Sequence, residues 1–181
     1  MGKLFFYSDQ TLELSDNERL DRILLDGRDS INTTIGYIPS TEDREKTHFN
    51  TKVHYYRNYG IKELMFFDLY SEFDSSKIGE LLKCDIIHLS AGNPVEFRNA
   101  IKHRGMDKIL SNYFNGGGTI VGVSGRAVQF GMSINLFQLF TGDLVQGLEA
   151  LQFVDFEFCL TLTVGMMNIK KKFIHMLKQT E

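Results

Sequence analysis

The chain has 181 residues, of which 43% are hydrophobic and 12% aromatic, and its formal net charge is −3. A chain of this length buries enough apolar surface to fold without metals or disulfides, and its composition excludes a disordered protein. Acidic and basic residues nearly balance, so no nucleic-acid or membrane-surface partner is predicted. The one basic run, 170–172, is interpreted as the exposed face of a last helix.

Cys84 and Cys159 are the only cysteines, and neither stands in a C-x-x-C or histidine-rich context. Isolated cysteines of this kind are typical of buried, reduced thiols, and no metal or cofactor site is predicted. The N-terminus lacks the apolar core of a signal peptide, and no stretch is long enough to cross a membrane. We therefore expect a cytoplasmic protein without cofactors, and the sequence does not indicate its oligomeric state.

Alternating apolar runs and helix-like segments fill the first 118 residues. Each apolar run is short and ends at a polar residue or proline, as buried strands do. Between these runs, pairs such as Ser15 with Glu18 indicate a helix start, and Gly60 indicates a helix end. In chain order the predicted elements are strand 3–8, a helix from 15, strand 33–38, helix 41–59, strand 64–69, helix 75–82, strand 84–89 and a helix through 97–110 that is broken near Gly105.

A further apolar strand, 119–123, stops abruptly at Ser124 and is followed by a helix-like segment. We call residues 122–126 the elbow. In such a strand-to-helix corner the serine hydroxyl stands clear of the backbone, and the amides that follow face an incoming oxyanion. Small residues are needed on both sides of the serine. Gly122 supplies one, but Arg126 occupies the second glycine position of the G-x-S-x-G pattern, which predicts a long cation at the tightest point.

Downstream of the elbow, strict alternation over 153–158 predicts a half-buried edge strand, and 168–178 is typical of an amphipathic terminal helix. No repeat or linker divides the chain, so a single domain over 1–181 is predicted.

Strands that alternate with helices imply a parallel sheet with helices on both faces, because parallel neighbours need a crossover. The predicted fold class is therefore a doubly wound α/β fold with a mostly parallel sheet. Ligands of such folds bind beyond the carboxyl ends of the strands. The polar or turn residues predicted at those ends are Ser8, Pro39, Ser90 to Asn93 and Ser124.

Four segments in register along this ladder resemble the peptidase E family of serine hydrolases, which includes dipeptidase E and cyanophycinase. They are 35–40 (IGYIPS), 89–93 (LSAGN), 122–124 (GVS) and 154–159 (VDFEFC). The resemblance implies a class I glutamine-amidotransferase-like fold, which is a flavodoxin-like arrangement, and hydrolysis of short peptides, typically at an aspartyl residue.

By the same resemblance Ser124 is the nucleophile, and the amides of Gly92 and Gly125 are the oxyanion donors. The family places a histidine where this chain has Thr161. A threonine hydroxyl does not accept a proton near neutral pH, so the triad is expected to be impaired or altered. Asp143 is the nearest candidate for its acidic member.

Five histidines are available to replace the missing base. His88 lies in an apolar strand and is interpreted as a buried core residue, while the others are expected at the surface. Those four are His48, His54, His103 and His175.

Each candidate site residue also has a purely structural interpretation. Ser124 could simply turn a strand into a helix, and Arg126 could form a salt bridge rather than bind an acidic substrate group. Asn93 and Arg126 are the candidate binding residues. The first functional hypothesis is a serine peptidase of short peptides with an impaired triad. The alternatives are a non-catalytic relative that acts as a binding or interaction module, and a flavodoxin-like module that binds an anion at the strand ends.

Overall fold

The computed structural model describes residues 2–12, 15–137 and 149–157. The strands are β1 (Lys3–Tyr7), β2 (Thr34–Ile38), β3 (Glu63–Phe66), β4 (Ile86–Leu89) and β5 (Thr119–Val123). The helices are α1 (Ser15–Leu25), α2 (Thr47–Arg57), α3 (Ile78–Leu81), α4 (Pro94–His103) and α5 (Met106–Asn115). Short 3₁₀ helices cover Ser75–Lys77 and Ser124–Phe130.

The five strands form one sheet in the order β1-β5-β4-β2-β3, and every neighbouring pair is parallel. α1 and α2 pack on one face of this sheet, while α4 and α5 pack on the other. This arrangement confirms the predicted doubly wound α/β class. Within the described residues, no helix has the length and apolar character needed to cross a membrane.

The two faces of the sheet bury different kinds of side chain. The face under α4 and α5 is aliphatic and aromatic, and its buried residues include Phe97, Ile101, Leu110, Phe114, Ile87, Leu89 and Ile120. The face under α1 and α2 also holds a polar network. Its centre is Asp21, only 1% exposed, whose carboxylate accepts hydrogen bonds from the hydroxyls of Tyr7 (2.7 Å), Tyr59 (2.8 Å) and Tyr55.

The predicted helix over 41–59 begins only at Thr47. The carboxylate of Asp43, in the preceding loop, accepts the backbone N–H groups of His48 and Phe49 at 2.7 and 2.8 Å. These groups have no partner inside the helix, so Asp43 caps its N-terminus and the chain before Thr47 remains a turn. At the other end, the helix finishes at Arg57 and Gly60 adopts φ 86°, as its predicted role in ending the helix requires.

The prediction of an edge strand over 153–158 is wrong for the part that the structure describes, 153–157. The N–H groups of Phe153 and Val154 both donate to the carbonyl of Phe130, at 2.9 and 3.0 Å, so this segment wraps around the end of the 3₁₀ helix instead of joining a ladder. The Phe153 ring stacks on Phe114, with ring centroids 4.7 Å apart. The predicted terminal helix over 168–178 lies outside the described residues.

Candidate active site

Ser124 lies directly after β5 with φ 53°, in the left-handed region that residues other than glycine rarely adopt. Such a conformation costs of order 1–3 kcal/mol and persists only where the surrounding structure imposes it. The strained strand-to-helix corner predicted from the sequence is therefore present. The helix that follows is 3₁₀ rather than α.

Two glycines make this corner sterically possible. A Cβ on Gly122 would lie 2.7 Å from the ring of Phe130 and 2.8 Å from Cα of Ala127. A Cβ on Gly125 would overlap the carbonyl oxygen of Gly92. A side chain at Gly125 would therefore force the two backbones apart.

Gly92 belongs to the turn after β4 and adopts φ 149°, which L residues with side chains rarely reach. A Cβ there would lie 2.9 Å from Cβ of Ser40 and 3.0 Å from Nη2 of Arg126. The Gly92 backbone is thus enclosed by the loop after β2 and by the elbow. The structure places Gly92 and Gly125 in direct backbone contact beside Ser124.

Arg126 is buried inside the protein and is only 1% exposed. Its Cζ lies 3.9 Å from the ring centroid of Phe97, and its Nη2 donates to the Tyr70 hydroxyl at 2.9 Å. Its Nε and Nη1 have no hydrogen-bond partner among the described residues, and no carboxylate of those residues forms an ion pair with it. Burial lowers the pKa of this guanidinium from its ordinary value. The predicted salt bridge is thus absent from the part of the chain that the structure describes.

Asn93 caps the helix that follows the Gly92 turn. Its side-chain oxygen accepts the backbone N–H groups of Val95 (2.8 Å) and Glu96 (3.4 Å), and Pro94 begins α4. This is the usual arrangement of an N-cap asparagine followed by proline at the first helical position. Capping accounts for the side-chain oxygen of Asn93 without a ligand.

A cavity of about 230 Å³ opens at the carboxyl ends of β2 and β3, next to the elbow. Ser40 joins it to Gly92, and Tyr70 joins it to Arg126. Polar and charged side chains dominate its lining, which includes Ser40, Thr41, Asp43, Arg44, Asp68, Tyr70 and Glu72. It lies where doubly wound sheets bind their ligands and is smaller than the cavities that hold drug-sized molecules.

The sequence model of peptidase family S51 matches residues 4–180. The chain belongs to peptidase family S51. This match confirms the resemblance to the peptidase E family and supports a serine peptidase-like function. No curated protein sequence matches the chain.

Two solved structures share the fold of this S51 chain. A putative peptidase E protein from Listeria monocytogenes EGD-e superposes with a TM-score of 0.74 at 20% identity, covering 97% of this chain and 87% of the other. A peptidase from an acI-B1 Actinobacterium superposes with a TM-score of 0.64 at 16% identity, covering 96% and 75%.

The described histidines of this S51 chain lie where the sequence predicts. His48, His54 and His103 are exposed, and His88 is fully buried. The Ser124 hydroxyl forms no hydrogen bond to any of the described residues, histidines included. Thr161, Asp143 and His175 lie outside those residues, so their predicted roles stay predictions.

His88 is held between two tyrosines under α2. Its Nδ1 lies 2.9 Å from the Tyr56 hydroxyl, and its ring stacks on Tyr37 with centroids 5.2 Å apart. Nε2 has no partner among the described residues. Burial, assisted by the charge of nearby Lys52, holds the pKa of His88 well below its ordinary value. The ring is thus a neutral core histidine, as predicted.

His88 should make the fold sensitive to acid. The unfolded chain protonates this ring near the ordinary histidine pKa of about 6.5, whereas the folded chain does not. The contribution of neutral His88 to stability is therefore complete above about pH 6.5 and is lost as the pH falls below it. Between pH 7.5 and 5.5 the wild type should lose about 1.4 kcal/mol more stability than His88→Gln.

Urea unfolding at several pH values measures this difference. His54→Gln, which removes an exposed histidine from α2, is the matched control and should follow the wild type. An identical pH dependence for His88→Gln and the wild type would show that the buried ring is protonated in the folded protein.

The sequence does not indicate that Tyr70, Phe97 and Ser40 belong to the site. Tyr70 and Phe97 enclose the Arg126 side chain, and Ser40 touches Gly92. Only Ser40 has a clue in the sequence, since it ends the IGYIPS segment after a predicted strand. The other two contacts join loops and helices that are distant along the chain.

Proposed function

We propose that this S51 chain is a serine-type hydrolase of short peptides, aspartyl peptides among them, with an altered triad. The observation that carries the proposal is the strained backbone of Ser124 beside the touching backbones of Gly92 and Gly125. Strain of this kind is typical of nucleophile elbows, where it exposes the hydroxyl to the substrate.

In the proposed reaction the Oγ of Ser124 attacks the carbonyl carbon of the scissile peptide bond. The carbonyl oxygen becomes an oxyanion, which the amides of Gly92 and Gly125 stabilise. The carbon–nitrogen bond then breaks, and the amine leaves with the proton that the Ser124 hydroxyl gives up. Water adds to the acyl group, which leaves as a carboxylic acid, and a proton from that water restores the Ser124 hydroxyl. The cavity lined by Ser40 and Tyr70 offers room for a small peptide group on the Ser40 side of the Gly92 turn.

The proposed triad lacks an imidazole base at its usual position, because Thr161 stands there. Triads without a working member retain about 10³–10⁴-fold catalysis over water from the oxyanion hole and binding. We therefore expect slow turnover. Asp143 remains the candidate acidic residue, and Arg126, as a buried cation, is proposed to act on acidic substrates through its charge rather than by direct contact.

A second candidate is a non-catalytic S51 relative that keeps the pocket for binding or interaction. The observation that favours it is the Ser124 hydroxyl, which contacts no base among the described residues, together with threonine at position 161.

Labelling with a fluorophosphonate probe, followed by mass mapping, separates the two candidates. For the hydrolase we expect labelling at Ser124 that Ser124→Ala abolishes and that Ser111→Ala, a control on α5, leaves unchanged. An absence of labelling beside an active S51 relative that is labelled in parallel would instead support the binding protein.

A further inference from the structure

Arg126 is a buried positive charge without a negative partner among the described residues. Within the described residues its guanidinium has a single hydrogen bond, to the neutral hydroxyl of Tyr70, and it lies over the face of Phe97. Removing a cation from water without a carboxylate partner is costly. The cation–π contact recovers only part of this cost. Arg126 therefore has more positive charge than the described residues around it neutralise.

The other ionisable groups that act on Arg126 do not cancel this charge. Tyr70 and Tyr37 are phenols whose pKa values burial raises, so both are neutral at physiological pH. Glu96 is an exposed residue of α4, and its carboxylate accepts a hydrogen bond from the Thr41 hydroxyl at 2.7 Å. Because Glu96 is solvated, its attraction for Arg126 is strongly screened.

The guanidinium lies against the Gly92 turn, whose amide is a proposed oxyanion donor. Because Gly92 has no side chain, Nη2 and Nε of Arg126 come within 3.0 and 3.4 Å of the point that a Cβ would occupy. The Gly92 carbonyl, in turn, touches Cα of Gly125, the residue after Ser124. The Arg126 guanidinium and Gly125, the residue after Ser124, thus both contact the Gly92 turn.

We propose that Arg126 is a built-in charge that stabilises negative charge on the atom at position 124 and on an oxyanion held by the Gly92 turn. It does so through its electrostatic field, since its side chain is buried and touches no substrate. A guanidinium suits this role because it stays protonated when it is desolvated. This inference rests on the proposed function in one respect, that the reacting oxygen is the hydroxyl oxygen of Ser124.

A thiol placed at position 124 measures this field directly. The ordinary pKa of a cysteine thiol is about 8.5, and nearby cations lower it because they stabilise the thiolate. In Ser124→Cys we expect a thiol pKa below that value. Adding Arg126→Met should raise it by about one unit, which is the size expected for a unit charge roughly 10 Å away at an effective dielectric constant of about 20. Adding Arg126→Lys, which keeps the charge, should leave the thiol pKa near that of Ser124→Cys alone.

The rate of alkylation by iodoacetamide, followed against pH with mass mapping, gives the pKa at position 124 separately from Cys84 and Cys159. Arg57→Met in the same background removes a surface arginine of α2 and should change nothing. Circular dichroism checks that each variant is folded, and Arg126→Gln is the second charge-removing variant.

Equal thiol pKa values with and without the Arg126 charge would overturn the inference. A thiol pKa at or above about 8.5 in Ser124→Cys alone would also overturn the inference. The thiol reports the field whether or not Ser124 reacts in the wild type. An unlabelled Ser124 with a lowered thiol pKa would therefore refute the hydrolase and leave the charge effect intact, while a labelled Ser124 with an unshifted thiol would do the reverse.

Discussion

Asp21→Ala is expected to destabilise the fold by about 3–5 kcal/mol, the largest loss we predict for a single substitution. The carboxylate of Asp21 accepts the hydroxyls of Tyr7, Tyr55 and Tyr59 inside the protein. Alanine would leave these donors without their acceptor, and each unsatisfied buried donor costs about 1–3 kcal/mol. Tyr59 is half-buried and can turn to water, so its loss should be the smallest.

Urea unfolding monitored by circular dichroism measures this loss. The matched control is Arg22→Ala, on the next residue of α1, which removes only an exposed pair with Glu18 and should cost no more than about 0.5 kcal/mol. If Asp21→Ala is no more destabilising than Arg22→Ala, the tyrosine hydroxyls do not depend on Asp21.

Gly125→Ala is expected to reduce the rate of fluorophosphonate labelling at Ser124 by about 100-fold. A methyl group there would overlap the Gly92 carbonyl oxygen, so the two backbones must separate. A displacement of about 1 Å at a reacting site can cost about 100-fold in rate. The overpacked corner should also lose about 1–3 kcal/mol of stability.

Labelling rates on the folded variant, compared with the wild type, test this expectation. Gly79→Ala, at an exposed position of α3, is the control because a Cβ there meets nothing within 4 Å. It should leave labelling unchanged and alter stability by no more than about 1 kcal/mol. Equal labelling rates for Gly125→Ala and the wild type would show that the Gly92 contact is not needed for reactivity.

Local patterns were sufficient to predict the parallel sheet and most of its helices. Strand positions followed from short apolar runs, since strands buried on both faces have few polar residues. The start of α2 could not be predicted, because the capping carboxylate of Asp43 reaches it from a loop. Alternation over 153–158 was misleading because the half-buried Phe153 packs against Phe114 and Phe130 rather than on a sheet.

The candidate site likewise has features that the local sequence predicts and features that depend on residues distant along the chain. The corner at Ser124 follows from an apolar strand that ends in a small polar turn, which is a local feature. The burial of Arg126 was not predictable, because it depends on Tyr70 and Phe97, which reach it from other parts of the chain. The contact of Gly92 with Gly125 is also distant in sequence, and only the family resemblance pointed to it.

The contact of Gly92 with Gly125 originates in the pairing of β4 with β5 rather than in the loops. β4 and β5 are hydrogen-bonded neighbours, with Leu89 opposite Gly122, so the turns that follow them start one strand spacing apart, about 4.8 Å. The spacing of the two strands therefore sets the distance between the two glycine turns. Substitutions outside β4, β5 and the turns that follow them should leave this spacing unchanged. The shape of the proposed oxyanion site is therefore set by the sheet and does not depend on which residue serves as the base.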